Sequence, residues 1–282
     1  MTIAKVLSIV MLVSLTFGAG LQVDREHLKS VFSEVGLLTR ALLANVVIVP
    51  LVGVIVTTAL RLNPYIATGI LLMAISPGVP FVLSGARKKG GRLSFAVALA
   101  FLLPVVSIVT VPITARLVLP VQAASELPLA HFVTVLFLFQ LLPLLAGMAV
   151  TAALRRRIPA LERACQLLFM LSVIALVIVL APRIAHSVSV IFGSLGIIAI
   201  VLIDGSCIVA GWFLGGPQSD DRRILALATT LRNIGLVASI ATTSFREPEI
   251  VAAALTYFVV QVAASVAMTV LFTRSAQRKA LA

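Results

Sequence analysis

The sequence predicts an all-α membrane protein of nine transmembrane helices, and three observations carry that prediction. Of 282 residues, 61% are hydrophobic and 11% charged, with a mean hydropathy of +1.17; a water-soluble domain of this size cannot hide that much apolar surface. The apolar residues fall into nine runs, each close to or beyond the roughly 20 residues that a bilayer's hydrocarbon core demands of a helix. The basic residues alternate between successive loops, as a correct count requires.

In order, the runs lie at 3–21, 35–60, 64–87, 91–120, 128–154, 159–181, 188–215, 221–245 and 247–274. Asp24 and Arg25 close the first, and the polar stretch from Asp24 to Ser33 reads as a short helix on the membrane surface. Asn63 and Pro64 part the second run from the third, and Lys89 to Gly91 part the third from the fourth. Pro120 ends the fourth, Arg155 to Pro159 separate the fifth and sixth, and Pro182 ends the sixth. Gly215 to Pro217 precede the eighth, and Pro248 stands at the start of the ninth. Charge, proline and glycine are the residues that stop an apolar helix.

Orientation follows from the basic residues. Arg25, Lys29, Arg40, Arg87, Lys88, Lys89, Arg92, Arg155, Arg156, Arg157, Arg163, Arg222, Arg223, Arg274, Arg278 and Lys279 fall on one side, 16 of the 22. Lys5, Arg61, Arg116, Arg183 and Arg246 fall on the other. The positive-inside rule makes the first set cytoplasmic, so the N-terminus is outside and the C-terminus inside the plasma (inner) membrane. A cleaved signal peptide over the first run would leave Arg25 and Lys29 outside, against that parity.

The net charge of +12 is spent on this orientation; no segment interleaves basic and aromatic residues as a nucleic-acid surface does. Cys165 and Cys207 lie in apolar runs without ligand spacing, so neither a disulfide framework nor a zinc site is expected. No cofactor is implied. An intramembrane protease needs a second deep Asp or a Ser/His pair, and the chain offers neither. Without a nucleotide-binding loop it is not a primary pump on its own.

Runs one to four and six to nine enter the membrane in opposite directions, the arrangement of an inverted repeat found in secondary transporters. The third member of each set is interrupted: Ser76, Pro77, Gly78, Val79 and Pro80 in one, Arg232, Asn233, Ile234 and Gly235 in the other. Prolines and glycine so close together break a helix, and broken backbone at membrane depth must be buried in protein or line a wet cavity. Pro77, Gly78, Val79, Pro80, Arg232, Asn233 and Gly235 are therefore the expected substrate-binding residues.

A cation such as Arg232 costs about 2.5 to 3.5 kcal/mol at that depth on insertion scales, so it must face a partner or a cavity. Asp204, the one acid placed deep in the bilayer, is its natural partner. Either the two form a structural salt bridge, or Asp204 titrates, or Arg232 holds an anionic substrate. Asn45 and Asn233 are polar enough to join them; Gln140, Gln261, His131 and His186 are scattered and receive no role.

These features resemble the bile acid:sodium symporter family. Phe17 to Leu21 resembles the end of that family's first core helix. Ala44, Asn45, Ile48, Val49 and Pro50 are similar to its Gln-apolar-Pro stretch. Ser76, Pro77 and Gly78 resemble the start of its Pro-Gly-Gly crossing motif, Asn233 to Leu236 its Asn-Ser-Gly-Leu, and Pro248 with Glu249 the following Pro-Glu. The resemblance implies a panel domain (about 1–34 and 128–181) beside a core domain (about 35–120 and 188–274) in which two broken helices cross. It also implies a small organic anion as substrate, driven by sodium. Where the family has Ser and Asn after the glycines, this chain has Val79 to Leu83. Where the family has Glu and Gln, it has Ala228, Thr229 and Arg232. Asn45 and Ser94 alone survive among the ion ligands. A site that loses its carboxylate and gains a guanidinium is electrostatically wrong for sodium.

The expectation is therefore a secondary transporter of a small organic anion, working by alternating access in a lipid bilayer. Arg232 replaces a sodium charge, and Asp204 couples to protons or to nothing. The alternatives are a non-transporting sensor of the same fold and an arsenite-type exporter of the same superfamily.

Overall fold

The computed structural model describes residues 2–23, 35–78, 93–120, 129–154 and 158–281. Regular structure among them is helical, apart from one isolated two-residue bridge. We number the helices α1 (Thr2–Gly20), α2 (Val35–Ala59), α3 (Pro64–Ile75), α4 (Leu93–Val118), α5 (129–154), α6 (Pro159–Gly193), α7 (Gly196–Leu214), α8 (Ser219–Thr230), α9 (Ile234–Ser244) and α10 (Pro248–Leu281).

Local chemistry explains many boundaries. Pro64, Pro159 and Pro248 open α3, α6 and α10, where a missing N–H leaves no bond unmade. Asn63 caps α3, accepting from the Tyr65 amide at 2.9 Å. α2 and α5 each widen into a π turn, at Leu43–Ile48 and Phe137–Leu141. A proline, Pro50 or Pro143, stands just beyond each turn. A proline ring crowds the carbonyl one turn earlier, and a wider turn relieves that clash. Pro182 does not end the sixth run as expected: α6 continues through it to Gly193. Losing one backbone bond kinks an apolar helix without stopping it.

Seven helices among the described residues are long and apolar enough to cross a bilayer: α1, α2, α4, α5, α6, α7 and α10. The other two expected runs are interrupted. α3 stops at Ile75, and the run 221–245 divides into α8 and α9 around an extended stretch at Leu231–Asn233. The short apolar helices α3 and α9 occupy the middle of the bundle. Ile66 to Ile75 of α3 and Ile234 to Thr242 of α9 are buried on every face, the mark of a helix enclosed by protein. The long helices carry the exposed apolar side chains, among them Leu117, Phe213 and Leu271.

α1 lies along α5 and α6, with its other flank on α9. Gly20 of α1 and Gly147 of α5 allow this approach, since a Cβ on either would strike the other helix's backbone. α10 packs on α3, α6 and α9, and α7 packs on α8 and α2. The proposed surface helix at Asp24 to Ser33 lies outside the described residues.

Candidate functional site

The two interruptions meet. Ser76, Pro77 and Gly78 run antiparallel to Leu231, Arg232 and Asn233: Asn233 N donates to Ser76 O at 2.9 Å, and Gly78 N donates to Leu231 O at 3.1 Å. Pro77 sits opposite Arg232. Proline has no N–H to offer, and this position in the pair asks it for none. A Cβ on Gly78 would stand 2.5 Å from the Arg232 carbonyl carbon and the Asn233 nitrogen. Only glycine permits so close an approach of the two backbones.

The bridge uses one edge of Arg232, and a side chain satisfies the other. Gln261 of α10 accepts from Arg232 N at 2.9 Å and donates to Arg232 O at 3.2 Å. Its amide thus imitates a third strand. Asn233 caps α9, accepting from Leu236 N at 3.1 Å, and donates through Nδ2 to Gln140 Oε1 at 3.1 Å. Gln140, on the π turn of α5, donates in turn to Ser107 Oγ at 2.7 Å and Pro104 O at 3.1 Å on α4. Broken backbone far from water needs such internal partners.

Around this frame lie charges with few direct partners. Arg232 is 1% exposed and donates through Nη2 to Thr229 O at 2.5 Å; its Nε and Nη1 have no hydrogen-bond partner among the described residues. Asp204 of α7 is 2% exposed; its carboxylate interacts with the Tyr257 hydroxyl of α10, but no hydrogen bond of regular geometry reaches either oxygen among the described residues. The two lie within electrostatic reach, with Tyr257 of α10 and Cys207 beside them. The expected partnership of Asp204 and Arg232 is therefore one of field rather than direct contact. A guanidinium with two donors that make no regular hydrogen bond among the described residues, in the field of a buried carboxylate, can close on that carboxylate or accept another anion.

The other expected residues are distributed unevenly. Asn45, buried on the π turn of α2, donates to Ala41 O of its own helix at 2.9 Å, and its Oδ1 has no hydrogen-bond partner among the described residues. Ser94 is half-buried in the first turn of α4. No bond among the described residues ties either to the crossing. Gly235 lies against Leu12 of α1, a position that a Cβ would crowd at 3.1 Å. Val79 and Pro80 fall outside the described residues. Gln140 and Gln261 correct the sequence reading, which gave them no role: both brace the Leu231–Asn233 strand of the crossing, Gln261 at Arg232 and Gln140 at Asn233. The only available signal was an amide inside an apolar run. Tyr257 and Cys207 gave no signal at all.

Helices that break and meet inside a bundle of membrane-spanning helices define a class, the membrane transporters whose sites are built from discontinuous helices. Residues 9–194 match the model of the Sodium Bile acid symporter family, and the chain belongs to that family. It is thus a multi-pass membrane protein of a transporter family. No curated protein matches the chain. The matched segment includes Pro77 and Gly78 but ends short of Asp204 and Arg232.

Proposed function

We propose that the protein is a secondary transporter that carries a small organic anion by alternating access, with Arg232 as a fixed cation in the binding region and Asp204 as a proton site. Nine spans, with α3 and the α8–α9 pair each belonging to one broken span, give the N-out, C-in topology. A core holding α2 to α4 and α7 to α10 moves against a panel of α1, α5 and α6. The single observation that carries the reading is the buried Arg232, with two donors that make no regular hydrogen bond among the described residues, at the meeting of two broken helices.

The mechanism is electrostatic. With Asp204 ionised, the carboxylate competes with substrate for the field of Arg232. Protonation removes that competitor, and the guanidinium attracts an organic anion, most strongly a carboxylate that fits its planar fork. One proton and one monovalent anion then move together, and the site never carries a bare surplus charge through the membrane. A sodium ion beside Arg232 would meet repulsion instead.

The test is uptake of labelled carboxylates by purified protein in proteoliposomes under a sodium gradient, a proton gradient or neither. Wild type is expected to accumulate substrate with the proton gradient and to ignore sodium. Asp204→Asn, fixed in the neutral form, is expected to retain counterflow exchange but to lose proton-driven accumulation. Sodium-dependent uptake indifferent to Asp204→Asn would overturn the assignment.

A further inference from the structure

A second charged cluster lies away from the crossing, where α7, α8 and α10 end or begin. Trp212 of α7 stacks on Phe272 of α10, with ring centroids 5.4 Å apart and planes 24° from parallel. Each ring carries an arginine from the first turn of α8: Arg222 Cζ stands 5.8 Å from the Trp212 centroid, and Arg223 Cζ 5.5 Å from that of Phe272. Arg222 is aimed by its Nε, which donates to Gly216 O at 2.6 Å. Gly216 has φ +78°, and the space where its side chain would be opens toward Arg40 Nη1 of α2, 3.7 Å from an ideal Cβ. Three arginines from two separate segments thus gather at one turn. Asp220 offsets part of this charge, at 3.6 Å from Arg223 Nη1.

The position of the cluster matters as much as its charge. Trp212 and Phe272 stand at the ends of the apolar windows Gly196–Leu214 and Pro248–Phe272, so their stacking places both ends at one level. Aromatic rings at such a level sit among lipid headgroups. Next to them Phe213 is 77% and Leu271 62% exposed, an apolar surface that acyl chains cover and a soluble anion does not. Both guanidinium groups stand over rings, which holds them in place at small entropic cost and leaves N–H groups for an acceptor.

We infer that Arg40, Arg222 and Arg223, the last two set on Trp212 and Phe272, bind the phosphate headgroup of an anionic phospholipid. The site rests on the chain being a membrane protein and not on the transport reading. An empty transport assay leaves it untouched.

The experiment compares the full-length protein in phosphatidylcholine nanodiscs with and without phosphatidylglycerol, reading its melting temperature and the lipid retained in native mass spectrometry. Phosphatidylglycerol is expected to raise the melting temperature of wild type and to remain bound. Affinity should fall roughly fivefold for each arginine removed, the scale of one basic side chain at an anionic surface. Arg222→Gln/Arg223→Gln should therefore lose the phosphatidylglycerol increment, read for each protein against its own melting temperature in pure phosphatidylcholine. Arg163→Gln, a basic residue on another helix, should leave the effect intact. Equal melting of wild type in both lipids, or an undiminished phosphatidylglycerol effect in the double variant, would overturn the proposal. Inorganic phosphate reproducing the whole shift in phosphatidylcholine would overturn the lipid as its source.

Discussion

Arg232 holds two unlike jobs in one residue. Its backbone is the centre of the crossing, bonded on one edge through its neighbours to α3 and on the other to Gln261. In the proposed transport cycle its side chain is the cation that attracts substrate. Gly78, which faces it, is where the backbone job has least tolerance. Gly78→Ala must push the two strands apart, since its Cβ would lie 2.5 Å from Arg232 and Asn233 backbone atoms. Overpacking of this kind costs about 1 to 3 kcal/mol, and separating the strands adds lost bonds. The expected result is a clearly lowered melting temperature in detergent; a melting curve like that of wild type would mean the crossing is looser than drawn. Arg232, Asn233, Pro77 and Gly78 were legible in the sequence because charge, proline and glycine are conspicuous inside apolar runs. Gln140 and Gln261 were not. They lie 93 and 29 residues from their partners, and nothing in an amide's local sequence says which backbone it will reach.

At the scale of elements, the same distinction holds. Runs of apolar residues with punctuation matched α1, α2, α4 and α5 to within two residues, whereas α7 begins only at Gly196, well inside its run from 188, and α10 continues past its run to Leu281. Pro182 misled, because a proline's effect depends on whether the flanking residues still gain by staying helical. The π turns in α2 and α5 were invisible, since widening one turn leaves composition unchanged. Yet each turn presents a buried amide, Asn45 in α2 and Gln140 in α5. Through Gln140, α5 is tied to both α4 and α9. A double-mutant cycle with Gln140→Ala and Asn233→Ala measures that tie. Interhelical bonds in membranes average about 0.6 kcal/mol and reach about 1.7 kcal/mol. Coupling near the upper value is expected here, because loss of either partner strands a buried amide. Strict additivity in reversible unfolding would show that the bond contributes nothing.

For the whole molecule, the open number is how many times the chain crosses the bilayer. Seven helices among the described residues qualify by length, while the sequence asks for nine, and the difference is the two broken segments. Parity separates the possibilities. Arg61, in the turn before α3, Ser219, at the start of α8, and Arg246, before α10, are all exposed. If the segment from α3 to α4 and the α8–α9 pair both cross, Arg61 and Arg246 face outside and Ser219 faces the cytoplasm. If neither crosses, all three lie on the same face. Cys165 and Cys207 are buried, so a bulky impermeant maleimide should leave the parent protein unmarked in intact cells. Single cysteines at the three positions are then expected to label in the pattern outside, inside, outside, with Ser219→Cys reacting only after the membrane is opened. The broken helices can cross because their freed backbone groups are bonded to each other and to Gln261 rather than left facing lipid. Labelling of all three from one side would show those bonds closing a re-entrant pair instead, with the charges of Arg232 and Asp204 reached from a single face.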